Sequence, residues 1–91
     1  MLIVVTYDIE DDRARTKLYK TLKRFGEPVQ YSVFECLLTT DQFARMRLEV
    51  AQTLEGNTLG VRYYEMCEAC QRQVVTLGIA KTSKPISVYI V

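Results

Sequence analysis

The chain predicts an α+β fold with the element order βαββαβ, and three observations carry that prediction. The chain opens on a near-continuous apolar run, Leu2-Ile3-Val4-Val5, followed by Thr6-Tyr7-Asp8. Two later segments repeat their apolar residues at helical spacing. Between them, a β-rich stretch changes phase partway along. Ninety-one residues suffice for one domain.

Each element follows in order. Residues 2–8 predict a strand buried on both faces, hence central in its sheet. Asp11 or Asp12 caps the first helix, and both suit its positive end. Ala14, Leu18, Leu22 and Phe25 form one buried stripe, and Gly26 with Pro28 stops the helix. In residues 29–39, Val29, Tyr31 and Val33 share one face, whereas Phe34, Cys36 and Leu38 alternate in the opposite register. Such a slip implies a bulge or two strands meeting at a corner, placed near Ser32-Val33. Thr40 caps a second helix over 41–54 that buries Phe43, Met46, Val50, Ala51 and Leu54. Residues 59–66 predict the fourth strand, with Val61, Tyr63 and Leu59 inward. That order is the ferredoxin-like pattern with an antiparallel sheet.

The tail exceeds this core. Glu68 to Gln73 reads as a turn or short helical piece, and 74–77 as a fifth strand, so residues 1–78 make the domain. Residues 79–91 are a linker and a strongly β-prone segment, Pro85 to Val91. A terminal strand of that kind is an aggregation hazard unless an edge receives it, which points to exchange or pairing with another protomer, or with a different protein.

Composition is that of a globular chain, with 48% hydrophobic and 25% charged residues and a net charge of +1. The total gives no sign of a nucleic-acid partner, but the distribution does. Of twelve basic residues, six fall in one stretch: Arg13, Arg15, Lys17, Lys20, Lys23 and Arg24. No stretch has the length of a membrane span, so no membrane partner is expected. The short apolar opening lacks the basic flank of a leader, and Cys36, Cys67 and Cys70 are odd in number, so reduced thiols and a cytoplasmic location are expected.

Asp8 stands where the first strand runs out, beside the cationic helix. It reads as a metal ligand, as a turn or capping residue, or as a partner for Arg13 or Arg15. One carboxylate is a poor Mg²⁺ site, and two copies meeting at a dimer axis make a better one. Arg13, Arg15 and Lys17 are candidates to hold phosphates nearby; the alternative is a merely solvated face. Ser32 and Phe34 belong to the corner that could approach the same end of the sheet. Tyr7, Tyr31, Tyr63 and Tyr64 could stack on bases but fit core or interface positions better. Cys67-x-x-Cys70 invites a zinc reading, yet the chain has no histidine and one further thiol, so buried or half-buried structural cysteines are expected, with intermolecular zinc or a redox role as the alternative. Without histidine the usual acid–base and nucleophilic triads are excluded, and no glycine-rich phosphate loop is present.

Tyr7-Asp8-Ile9, Asp11-Asp12, Gln30-Tyr31-Ser32-Val33-Phe34-Glu35-Cys36, Val61-Arg62-Tyr63-Tyr64 and Cys67-Glu68-Ala69-Cys70 closely resemble the small CRISPR-associated spacer-acquisition endonuclease family (Cas-two). The resemblance covers essentially the whole chain. It implies a ferredoxin-like homodimer whose C-terminal strands complete the sheets across the interface, with one Mg²⁺ between the two Asp8 carboxylates. It further implies a metal-dependent endonuclease acting on single-stranded RNA or double-stranded DNA, and a dimer that bridges CRISPR integrase subunits on DNA. Carried over by position, Asp8 is the metal ligand, Tyr7, Arg15 and Phe34 are tied to activity, and Ser32 lies in the same motif. Pro28 departs from the basic residue some members carry there.

Three competing classes remain at this point. A non-catalytic adaptor would hold duplex DNA on the basic helix and tolerate loss of Asp8. A toxin-type ribonuclease of similar fold would arrest growth through Asp8. A ligand-binding regulatory domain would leave the basic helix unexplained.

Overall fold

The computed structural model describes residues 1–73 and 75. Its elements run β1 (Leu2–Tyr7), α1 (Asp12–Lys23), β2 (Glu27–Gln30), β3 (Val33–Leu37), α2 (Thr40–Thr53), β4 (Val61–Met66) and α3 (Glu68–Gln71). The four strands form one sheet in the order β2-β3-β1-β4, and every neighbouring pair is antiparallel. This is the ferredoxin-like arrangement expected from the element order. Of the fifth strand expected at 74–77 only Val75 is among the described residues, and the terminal segment 85–91 lies outside them.

β1 is central, as its apolar run requires, but its two faces differ. Ile3, Val5 and Tyr7 lie in the core beneath the helices, while on the outer face Leu2 is buried and Val4 and Thr6 are half-buried. The register stacks Phe34, Val5 and Tyr63 in one row on the helix side, and Val33, Thr6 and Arg62 in a row on the outer side.

α1 starts at Asp11, whose carboxylate accepts the Ala14 N–H at 2.8 Å, with Asp12 in the first turn and Lys20 and Lys23 in the last, as the helix dipole favours. Leu18 and Leu22 are fully buried, each contributing roughly 1.5–3 kcal/mol of burial. Gly26 has a different reason from the predicted helix stop: a Cβ there would meet the Glu35 carbonyl oxygen at 2.3 Å, so only glycine lets the chain pass against β3. α2 packs beside α1, and the hydroxyls of Thr21 and Thr53 hydrogen-bond at 2.9 Å between them. Its cap is Thr39, one residue before the predicted Thr40. Thr39 Oγ1 accepts the Gln42 N–H at 3.1 Å and Gln42 Oε1 accepts the Thr39 N–H at 2.9 Å, a reciprocal box that Thr40 cannot form because Phe43 stands three residues after it.

The phase change in 29–39 has both of its anticipated causes. The β2–β3 register shifts between Pro28 and Gln30, and the chain reverses at Tyr31-Ser32, where Ser32 takes φ = 61°. Phe34, Cys36 and Leu38 are buried as expected; Tyr31 is at the turn and 84% exposed. Leu59, expected inward, is 96% exposed because it belongs to the turn before β4. No helix among the described residues is long and apolar enough to cross a membrane.

Candidate active site

Two loops converge on the end of the central strand. The Tyr7 N–H donates to the Ser32 carbonyl at 3.1 Å on one side, and the Asp8 N–H donates to the Gly60 carbonyl at 2.8 Å on the other. β1 therefore delivers Asp8 between the β2–β3 turn and the turn preceding β4. Gly60 is required for that approach, since a Cβ on it would lie 2.4 Å from the Asp8 carbonyl oxygen.

The Asp8 side chain is exposed and takes no hydrogen bond or ion pair among the described residues. It opens into a cleft of about 470 Å³ lined by Thr6, Tyr7, Asp8, Leu59, Gly60, Arg62 and Tyr64. The pairing of Asp8 with Arg13 or Arg15 does not occur. Arg15 instead donates to the Ile9 carbonyl at 2.9 Å and the Glu10 carbonyl at 3.3 Å and forms an ion pair with Asp12. The hydrogen bond to Asp12, more than any other influence, raises its guanidinium pKa further. Arg15 thus braces the β1–α1 loop that carries Asp8.

Tyr7 is nearly buried and forms a wall between the Asp8 cleft and a second one of about 360 Å³, which Arg15, Tyr19, Lys20, Tyr31 and Ser32 also line. Burial, then Tyr19 and Tyr31, push its phenol up, and Arg15 opposes them. A phenol held protonated is a hydrogen-bond donor, not a base. Phe34 has no exposure and reaches this region only through its neighbours, with ring centroids 6.3 Å from Tyr7 and 5.3 Å, edge to face, from Tyr19. Arg13 and Lys17 are exposed and line a separate groove with Asp11, Thr53 and Glu55. The structure therefore gathers Tyr7, Asp8 and Ser32, sets Arg15 behind them, and turns Arg13 and Lys17 toward another surface.

Arg62 is not among the site residues that the sequence predicts. It is the cation of the Asp8 cleft, opposite Thr6 in the β1–β4 register, and its pKa is raised chiefly by a hydrogen bond with Tyr64. Alternation along β4 separates Arg62 from inward Val61 and Tyr63, but only the register puts it beside Asp8. The expectation for the Cys67-x-x-Cys70 pair is corrected: both are exposed, and Cys36 is the buried thiol, its pKa pushed up to about 12 by desolvation and by Glu35.

Among the described residues no three His, Cys, Asp or Glu side chains gather as a metal site. Asp8 is the one carboxylate among the described residues that line this cleft.

Residues 1–74 match the family model described as CRISPR associated protein Cas2. A protein of Methanospirillum hungatei named CRISPR-associated endoribonuclease Cas2 2 is 38% identical over 82 residues, which span 90% of this chain and 91% of that protein. Streptococcus pyogenes Cas2, solved at pH 6.5, superposes with a TM-score of 0.69 at 35% identity, covering 86% of this chain and all of that one. A chain of a partial Cas6-RT-Cas1–Cas2 complex shares the fold, with a TM-score of 0.71 at 23% identity over 86% of this chain and 89% of its own.

Proposed function

The chain belongs to the CRISPR associated Cas2 family, and from that membership we propose a metal-dependent endoribonuclease of spacer acquisition that works as a homodimer. The observation that carries the reading is Asp8, an exposed carboxylate without a partner among the described residues, set beside Arg62 in the cleft at the end of β1. Two such carboxylates from two copies, with water completing the shell, suit one Mg²⁺. When bound, the ion would polarise a phosphate oxygen and lower the pKa of bound water. The protein's own residues do the rest. Arg62 and Tyr64 offer charge and a hydrogen bond to the phosphodiester, Tyr7 donates from the cleft wall, Ser32 secures the Tyr7 backbone, and Arg15 keeps the Asp8 loop in place. Phe34 supports Tyr7 from beneath.

Cleavage of single-stranded RNA and of duplex DNA in Mg²⁺, wild type against Asp8→Ala, tests this. Wild type should cut RNA, and Asp8→Ala should lose about two orders of magnitude or more, as expected when several kcal/mol of charge stabilisation disappear. Equal rates would sink the catalytic role.

A second reading is a DNA-binding adaptor that bridges CRISPR integrase subunits. What favours it is that Arg13, Lys17, Lys20 and Lys23 form no ion pair among the described residues, leaving α1 a cationic surface. Spacer uptake in cells separates the two. The adaptor survives Asp8→Ala and fails with Arg13→Glu and Lys17→Glu, a better pair than Arg15 because Arg15 also braces the loop.

A further inference from the structure

Away from the Asp8 cleft, the described residues hold one more concentration of reactive groups, at the exit from β4. Cys67 and Cys70 are both exposed, and their sulfurs are in hydrogen-bond contact at 3.2 Å. The contact is built into the turn. The Cys70 N–H donates to Cys67 Sγ at 3.3 Å, the Gln71 N–H donates to the Cys67 carbonyl at 3.0 Å, and Gln71 Nε2 donates to the Met66 carbonyl at 3.1 Å. A zinc site would need four ligands, and no third one joins the pair among the described residues. A disulfide needs only these two sulfurs, drawn together to about 2.05 Å.

We propose that Cys67 and Cys70 form a redox-active dithiol that closes reversibly into an intramolecular disulfide by exchange with small-molecule disulfides. In the first step the Cys67 thiolate attacks one sulfur of the small disulfide, forming a mixed disulfide and expelling one small thiolate. In the second, Cys70, its proton passing to water, attacks Cys67 Sγ and expels the other. One small disulfide is reduced to two thiols, and two cysteine thiols are oxidised to one disulfide. The order follows from the hydrogen bonds. Those from the Cys70 side chain and backbone hold the Cys67 thiol below the usual range, and the same contact raises Cys70. Cys67 is then the attacking and Cys70 the resolving sulfur. Cys36, buried and protonated, takes no part.

The test treats the full chain with oxidised glutathione, quenches with acid and maps the cysteines by mass spectrometry. Wild type should lose two hydrogens within residues 67–70 and keep Cys36 unmodified until it is denatured. Cys70→Ser should retain glutathione on Cys67, and Cys67→Ser should react about tenfold more slowly. Glutathione on both cysteines without an internal disulfide, a disulfide linking two chains, or tightly held zinc that protects both thiols would each overturn the proposal.

Discussion

Gly60 and Cys36 show how single residues carry this site and its core. Gly60→Ala would force a methyl group onto the Asp8 carbonyl oxygen, which would otherwise lie 2.4 Å away. Overpacking of this kind costs roughly 1–3 kcal/mol. The urea midpoint should fall, and any cleavage that depends on Asp8 should fall with it; an unchanged midpoint would mean the turn yields freely. Cys36 makes a pH prediction. Its thiol has an ordinary pKa of 9.0 in the open chain but is pushed up to about 12 when folded. Between those values the unfolded state has lost the proton that the folded state keeps, so stability is full below about 9 and declines as pH rises toward about 12. Tyr7 and Tyr63, raised mainly by burial, act in the same direction. Urea midpoints measured against pH should therefore show an alkaline decline that Cys36→Ala makes shallower; parallel curves would contradict it. Asp8 was legible in the sequence because an acid ending an apolar run is unusual. Arg62 was not, because its relation to Asp8 exists only through strand pairing.

At the scale of elements, local chemistry decided most boundaries. Two threonines in succession both satisfy the cap preference of α2, and Gln42 three residues after Thr39 breaks the tie. Thr39→Ala should cost about 1 kcal/mol, and Thr40→Ala much less. Thermal unfolding of both variants checks this, and equal losses would move the cap. The break between β2 and β3 was visible as a phase slip, although Tyr31 was placed on a shared strand face when it belongs to the turn. The error has a physical source: alternation predicts a side chain's direction only while the ladder continues, and Ser32 at φ = 61° ends it. The basic run of α1 looked like one patch in sequence. On the helix it divides, with Arg15 facing the Tyr7 cleft and Arg13 and Lys17 facing the groove near Thr53.

For the whole molecule, the central expectation concerns assembly. If two Asp8 carboxylates share one Mg²⁺, metal binding and dimerisation are linked and each strengthens the other. Sedimentation equilibrium should show tighter self-association of wild type in Mg²⁺ than in chelator, with no such difference for Asp8→Asn. A dimer indifferent to the ion would remove the shared site while leaving the fold intact. By itself, the sequence determined the α+β class, the order of the first six elements, the central place of β1 and the position of Asp8 where that strand ends, because apolar periodicity and turn chemistry act over a few neighbouring residues. Only the tertiary structure decided that Gly60 and Ser32 clamp the end of β1, that Arg15 serves the loop and not Asp8, and that Arg62 shares the cleft. Those relations join residues up to more than fifty positions apart. They arise from antiparallel register and close backbone approach, which no local pattern encodes.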